Sequence, residues 1–198
     1  MTIEPSAIED FGDRALLIRF GGPPSAELTA MLTGVAEAAA HLPGVVDAAP
    51  GLTTVLVEAE PASLAGIKER IPSLLEAATP LEGQTFSVPV RYDGLDLEWV
   101  CEHLEIATRE LIDLHSEPVY DVRLLGSPGF IYLSDVPERI AVPRMEQPRT
   151  HVPAGSVGIA GRQTGIYGRA RPGGWRIIAT AAEVPEVRPG DRVRFVPS

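Results

Sequence analysis

Cysteine is all but missing from this 198-residue chain, with Cys101 standing alone. One cysteine excludes an internal disulfide framework and a cysteine-built zinc site. Long apolar runs are missing as well, and no stretch approaches the ~20 residues that a membrane helix needs. The first ten residues carry Glu4, Glu9 and Asp10 but no basic start and no apolar stretch, so no secretory leader is expected there. A reducing, cytoplasmic setting is the resulting expectation. Lysine is reduced to Lys68, and no Gly-x-x-x-x-Gly-Lys string surrounds it, which excludes a phosphate-binding loop of that type. Aromatic residues make up 6% and the net charge is −10, a poor match to a nucleic-acid binder.

What remains is an ordinary globular composition, 44% hydrophobic and 22% charged, with Gly and Pro at 19 each. The charge is unevenly spread. Residues 1–122 hold 6 Lys+Arg against 21 Asp+Glu, whereas residues 123–198 hold 11 against 6, and all eleven of those cations are arginine. Arginine is suited to bidentate recognition of carboxylate or phosphate. Two readings stay open: a coding bias with a solvated acidic face, or an anion- or partner-binding surface in the second half.

The periodicities divide the chain near residue 80. Leu16, Ile18 and Phe20 recur at period two and stop at Gly21-Gly22-Pro23-Pro24. Ser25 then caps a helix whose Leu28, Met31, Leu32, Val35, Ala39 and Leu42 follow the 3/4 spacing, ended by Pro43-Gly44. Strands over 45–48 and 53–58 are split by a Pro50-Gly51 turn, and a second helix follows Pro61, with Pro72 expected to end or kink it early. The ββαββα order predicts a small α+β domain over 1–80, helices on one face of an antiparallel sheet. After a linker over 79–84 come a strand over 86–90 and two short helices, 96–104 and 108–115, with Asp96 and Thr108 as caps. Short β segments then alternate with Gly and Pro, the clearest at 119–125, 155–160, 174–178 and 192–196. They predict a mainly-β barrel or sandwich over 81–198.

Few motifs carry chemistry. Ala154-Gly155-Ser156-Val157-Gly158 is similar to a nucleophile elbow, but no helix pattern follows it. The last histidine, His151, precedes Ser156, so the order Ser, acid, His cannot be met. His41, His103, His115 and His151 are scattered, and no metal site is expected. His115 closes a helix, where it can either satisfy the last carbonyls or sit at the mouth of the β domain as a proton-transfer group. The densest segment is 148–167, in which Arg149, Ser156, Gln163, Thr164 and Tyr167 are interleaved with glycine. Such a stretch can expose backbone N–H groups and aim polar tips at one small amide or acid, or it can simply be a tight array of β-turns.

Here the chain resembles a known family. Pro148-Arg149, the run 152–161 (Val-Pro-Ala-Gly-Ser-Val-Gly-Ile-Ala-Gly), 163–167 (Gln-Thr-Gly-Ile-Tyr) and 172–175 (Pro-Gly-Gly-Trp) match the signature of the family of 5-oxoprolinase B subunits. The same family is also called KipI, allophanate hydrolase subunit 1, or carboxyltransferase domain, subdomain C and D. Phe11-Gly12-Asp13, Val88-Pro89-Val90, Leu114-His115 and the closing run 190–195 agree with it, so the resemblance runs nearly end to end. It implies an α+β N-terminal domain followed by a cyclophilin-like β barrel. It also implies a KipA-like partner (allophanate hydrolase subunit 2, the C component of 5-oxoprolinase) and a LamB/YcsF-type third protein. The assembly it implies opens 5-oxoproline to glutamate with ATP and Mg. No cofactor is expected on this chain alone. Arg149, Ser156, Gln163, Thr164 and Tyr167 are then the expected substrate binders, and His115 the expected catalytic proton carrier.

The family names imply two alternatives: an inhibitor of a sensor histidine kinase, and a carboxyltransferase-type subunit of a biotin-dependent urea carboxylase. The chain also departs from the pattern. The family's Gly-Phe-x-Pro-Gly-Phe reads Gly126-Ser127-Pro128-Gly129-Phe130 here, its Tyr-Pro reads Tyr167-Gly168, and its Gly-Arg-Thr-Pro is replaced by Ala179-Thr180-Ala181-Ala182. These departures bear on the substrate more than on the fold.

Overall fold

Alternating apolar residues become strands where period two is strongest. The computed structural model describes residues 4–198. The chain divides into two units, Met1–Gly83 and Gln84–Ser198.

In the first unit the strands β1 (Pro5–Phe11), β2 (Ala15–Phe20), β3 (Val45–Pro50) and β4 (Thr54–Ala59) form an antiparallel sheet in the order β1-β2-β4-β3. Leu16, Ile18 and Phe20 of β2 and Val55, Val57 and Ala59 of β4 point to one face, as alternation demands. On that face lie α1 (Ala26–Ala40), through Leu28, Leu32 and Val35, and α2 (Leu64–Ala77), through Ile67, Ile71 and Leu74. Ser25 caps α1 as expected, its hydroxyl accepting from Leu28 N–H at 3.1 Å. Ser25→Ala is expected to cost about 1 kcal/mol, read as a lower urea midpoint at unchanged slope.

Of the two outcomes expected at Pro72, an end or a kink, the end does not occur, because the helix runs on to Ala77. Proline removes only its own N–H, Pro72 itself is exposed, and the buried Ile71, Leu74 and Leu75 hold the last turn against the core.

The second unit is a closed seven-stranded barrel with two short helices. Its strands are β5 (Thr85–Arg91), β6 (Val119–Gly126), β7 (Phe130–Asp135), β9 (Ser156–Ala160), β10 (Gln163–Tyr167), β12 (Arg176–Ala181) and β13 (Arg192–Pro197). They close in the order β10-β7-β6-β13-β5-β12-β9. β13 runs parallel to β5, and the other pairs are antiparallel. Closure leaves no free sheet edge and settles the choice between barrel and sandwich. β8 (Arg149–Val152) and β11 (Arg171–Gly173) pair separately. Val88, Val90, Val122, Leu133, Val157, Ile159, Ile166 and Phe195 belong to one buried cluster, which α3 (Leu97–Leu104) and α4 (Thr108–Ser116) join through Val100 and Leu111.

Neither expected cap of these two helices acts as one. Asp96 holds the position before α3, but its carboxylate makes no capping bond. Thr108 is the first helical residue of α4, and Ala107 occupies the cap position. Among the described residues no helix is long and apolar enough to cross a membrane.

Candidate functional site

The segment 149–167 is spread over β8, the turn at Gly155, β9 and β10, and strand alternation sends its side chains to different places. Val157, Ile159 and Ile166 enter the barrel core, while Ala160 and Tyr167 join Phe130, Trp175 and Val152 in a second cluster. The expectation that five polar tips meet at one point is therefore not realised. Two of them do share a cavity. Arg149 and Ser156, with Asp93, Gly94, Leu95, Val152, Pro153, Ala154, Ile177 and Thr180, line a pocket of about 310 Å³.

Arg149 is already engaged. Its Nη1 donates to Asp96 Oδ2 at 2.9 Å and its Nη2 to Asp96 Oδ1 at 2.7 Å, and Nη1 also lies 2.8 Å from Met145 Sδ. Asp96, only 4% exposed, accepts in addition from Ile177 N–H at 2.7 Å and faces Arg176 Nη1 at 3.8 Å. The Arg176 guanidinium lies 3.5 Å over the Trp99 ring, whose ring system stacks on His103. The carboxylate is turned to Arg149 and the Ile177 N–H, with Arg176 close by, and makes no bond to its own helix start. That competition is why the cap reading of Asp96 fails.

Ser156 is 5% exposed, and among the described residues nothing hydrogen-bonds to its Oγ. It stands opposite Thr180 across the β9–β12 pairing. Thr180 Oγ1 donates to Asp93 Oδ1 at 2.9 Å, and Arg91 Nε donates to Asp93 Oδ2. The Arg91 bond holds the Asp93 carboxyl below its ordinary range, with Thr180 adding to it. The cavity thus presents one ionised carboxylate and one unengaged hydroxyl among mainly apolar walls.

His115 is not at the mouth of the barrel. It is fully buried, stacked on Phe195 at 4.7 Å, and does not line the cavity. Its Nδ1 lies 2.8 Å from Tyr92 Oη and its Nε2 lies 2.9 Å from Thr164 Oγ1. The proton positions follow from elimination. Thr164 Oγ1 donates to Gly158 C=O at 3.0 Å, since a carbonyl can only accept. The Thr164 oxygen must then accept from His115 Nε2–H. Burial pushes the imidazole down to about 3, so the ring is neutral and its Nδ1 accepts from Tyr92 O–H. Burial also raises the Tyr92 phenol. The chain Tyr92–His115–Thr164–Gly158 is a closed relay of donors and acceptors that pins β10 to β9.

Tyr167 is 1% exposed and meets Phe130 edge to face at 4.7 Å, while burial raises its phenol. Gln163 opens β10, half-buried, and pairs with Asp135 and Ala160. The close packing expected of the glycines is present. A Cβ on Gly165 would lie 2.7 Å from both Ile131 O and Phe130 Cε1, and one on Gly158 would lie 3.1 Å from Trp175 Cβ. These paired glycines let the aromatic cluster lie directly on the strands.

Comparison with known proteins places this architecture. The family model of the carboxyltransferase domain, subdomain C and D, matches residues 6–185. The chain belongs to this family. Within it, the 5-oxoprolinase B subunit of Escherichia coli O157:H7 is 37% identical, over 94% of this chain and 93% of its own length. The 5-oxoprolinase B subunit of Bacillus subtilis (strain 168) is 34% identical, over 96% and 91%. The crystal structure of TTHA0988 is similar with a TM-score of 0.83 and 36% identity, covering 93% of this chain but 40% of that longer one.

In this member of the carboxyltransferase-domain family, the residues that sequence reasoning missed are Asp93, Arg176 and Thr180. Asp93 sits in a loop with no motif around it, and Arg176 directly follows the Pro-Gly-Gly-Trp run of 172–175, which gives no sign of the arginine's partner. The replacement of the family's Gly-Arg-Thr-Pro run marked Thr180, but nothing in the sequence joined it to Asp93.

Proposed function

We propose that this chain is a non-autonomous subunit of a multi-protein hydrolase that opens small amides, of the 5-oxoprolinase kind. The observation that carries the reading is the shared cavity. The family's signature segment brings Arg149 and Ser156 to one pocket of about 310 Å³, large enough for a single-ring amide. The names of the relatives support the reaction class and the existence of other subunits. A KipA-like partner and a LamB/YcsF-type protein complete the assembly.

ATP, with Mg, is assigned to the other subunits. The lone lysine, Lys68, lies on α2 and pairs with Asp10 at 2.9 Å, not with a glycine-rich loop. Net chemistry is addition of water across the amide C–N bond, giving a carboxylate and an amine, driven by ATP cleavage to ADP and phosphate. In this scheme Ser156 Oγ–H donates to the amide carbonyl. Arg149, held by Asp96, fixes β8 beside it. His115 positions β9 through Thr164 and Gly158 rather than moving a proton.

The test is reconstitution of the chain with its two partner proteins, assayed with ATP. Glutamate release from 5-oxoproline, or 4-aminobutanoate release from 2-pyrrolidone, is expected, with a loss of roughly tenfold or more in Ser156→Ala. No turnover of either amide by the assembled complex refutes the reading.

A further inference from the structure

We infer that Arg176 sets the charge of the cavity: by sharing the Asp96 carboxylate it leaves Arg149 with charge and donors to spare for the carboxylate of a small ligand. Arg176 is then a positioning residue, which acts through Asp96 and does not touch the ligand. This rests on the small-amide reading and names what holds the amide's acidic group.

Two guanidinium groups meet one carboxylate here. Asp96 takes Nη1 and Nη2 of Arg149 at 2.9 and 2.7 Å, and Arg176 Nη1 lies 3.8 Å from Asp96 Oδ1. At that range Arg176 attracts the carboxylate by charge without a hydrogen bond. It is kept there by its packing 3.5 Å over the Trp99 ring, with its side chain 15% exposed and its Nε buried and unpartnered. One negative charge against two positive ones leaves the cluster with a surplus of one positive charge. Asp93, the one acid among the lining residues, does not cancel it, because Arg91 Nε and Thr180 Oγ1 both donate to that carboxylate.

Arg149 is the member of the cluster that lines the cavity. Of its five N–H groups, two go to Asp96 and one to Met145 Sδ. The two that remain, Nε–H and the second Nη2–H, lie side by side on the other edge of the guanidinium. That edge is a fork matched to the two oxygens of a carboxylate. Ser156 Oγ lines the same cavity, so one ring can give its carboxylate to the fork and its amide carbonyl to the hydroxyl. The walls, Val152, Pro153, Ala154 and Ile177, take the ring itself.

The experiment titrates the full chain with 5-oxoproline and with 2-pyrrolidone, the same ring without the carboxylate. Backbone amide shifts of Gly94, Gly155 and Ser156 report binding. Wild type is expected to bind 5-oxoproline roughly tenfold more tightly, the size of one charge-assisted hydrogen-bonded pair. Arg176→Gln is expected to lose most of that ratio while its affinity for 2-pyrrolidone stays as in wild type. Arg176→Lys, which restores the charge but not the guanidinium, is expected to recover the ratio. In wild type the ratio should also fall roughly twofold or more between about 0.05 and 0.5 M NaCl. Circular dichroism checks that each variant folds; if Arg176→Gln does not, the salt series decides.

Equal or tighter binding of 2-pyrrolidone to wild type overturns the inference, and so does binding of neither ligand. An equal loss for both ligands in Arg176→Gln, or a ratio indifferent to salt, overturns it as well, since a purely structural arginine would act in that way. Failure here is separable from failure of the function. A reconstituted complex that opens amides with a ratio independent of residue 176 refutes the inference and leaves the hydrolase reading standing. A complex that opens no amide refutes that reading, while the titration still decides whether Arg149 binds a carboxylate.

Discussion

Replacing Asp96 by alanine is expected to destabilise the barrel unit by about 3–5 kcal/mol, among the largest effects of any single substitution in this chain. Asp96 is 4% exposed, and its carboxylate takes both terminal nitrogens of Arg149, the Ile177 N–H, and the charge of Arg176 at 3.8 Å. Its removal leaves two mostly buried guanidinium groups without a counter-charge and one buried amide without an acceptor. The Arg176 side chain cannot retreat to water easily, because it is clasped against Trp99. Urea denaturation of Asp96→Ala against wild type measures the loss. Asp96→Asn should recover only part of it, since it keeps an acceptor for Ile177 but not the charge. If the midpoint of Asp96→Ala shifts by less than the equivalent of ~1 kcal/mol, the pair is solvated and its role as the clamp behind the cavity is wrong.

Acid is expected to unfold the barrel unit earlier than its carboxylates alone would explain, and His115 is the reason. The folded chain keeps this imidazole neutral down to about 3, because it is buried and both ring nitrogens are committed. In the unfolded chain a histidine titrates near ~6.5. Above that pH neither state binds the proton, and the full native stability is present. Between the two values only the unfolded state binds it, so stability falls as pH falls. The slope from this one group approaches about 1.4 kcal/mol per pH unit. Below the folded value the contribution levels off. His115→Gln, which can still donate to Thr164, is expected to be less stable than wild type near neutral pH. The gap should narrow steadily as the pH is lowered toward the folded value, because the variant has no imidazole to protonate. Denaturant midpoints measured across that range check it, and a gap independent of pH would mean that the ring is reached by solvent.

Both expectations come from residues whose importance the sequence announced only in part. His115 stood out because a histidine at a helix end has two possible uses. Neither use is the one found, since the Tyr92 and Thr164 hydroxyls that take its two nitrogens come from residues 23 and 49 positions away along the chain. Asp96 looked like a cap because it precedes an apolar helical run. The pull of two arginines, 53 residues away for Arg149, outweighs one backbone N–H at a helix start.

The local elements were legible because each rests on nearby residues. Period two in Leu16, Ile18 and Phe20, the Ser25 cap, and the Pro50-Gly51 turn need nothing beyond their neighbours. Membership of the family was equally legible, since it rests on closely spaced runs of residues, above all 152–161 and 163–167. Tertiary structure alone decided three things. It continued α2 past Pro72, because burial of Leu74 and Leu75 outweighs one missing hydrogen bond. It closed seven short strands into a barrel, which depends on pairings such as β13 with β5 that span the whole unit. It also sorted the polar residues of 149–167, sending Thr164 inward to His115, Tyr167 to the aromatic cluster, and Arg149 and Ser156 to the cavity. Sequence spacing tells which residues alternate along a strand; only the closed sheet tells what waits on each side.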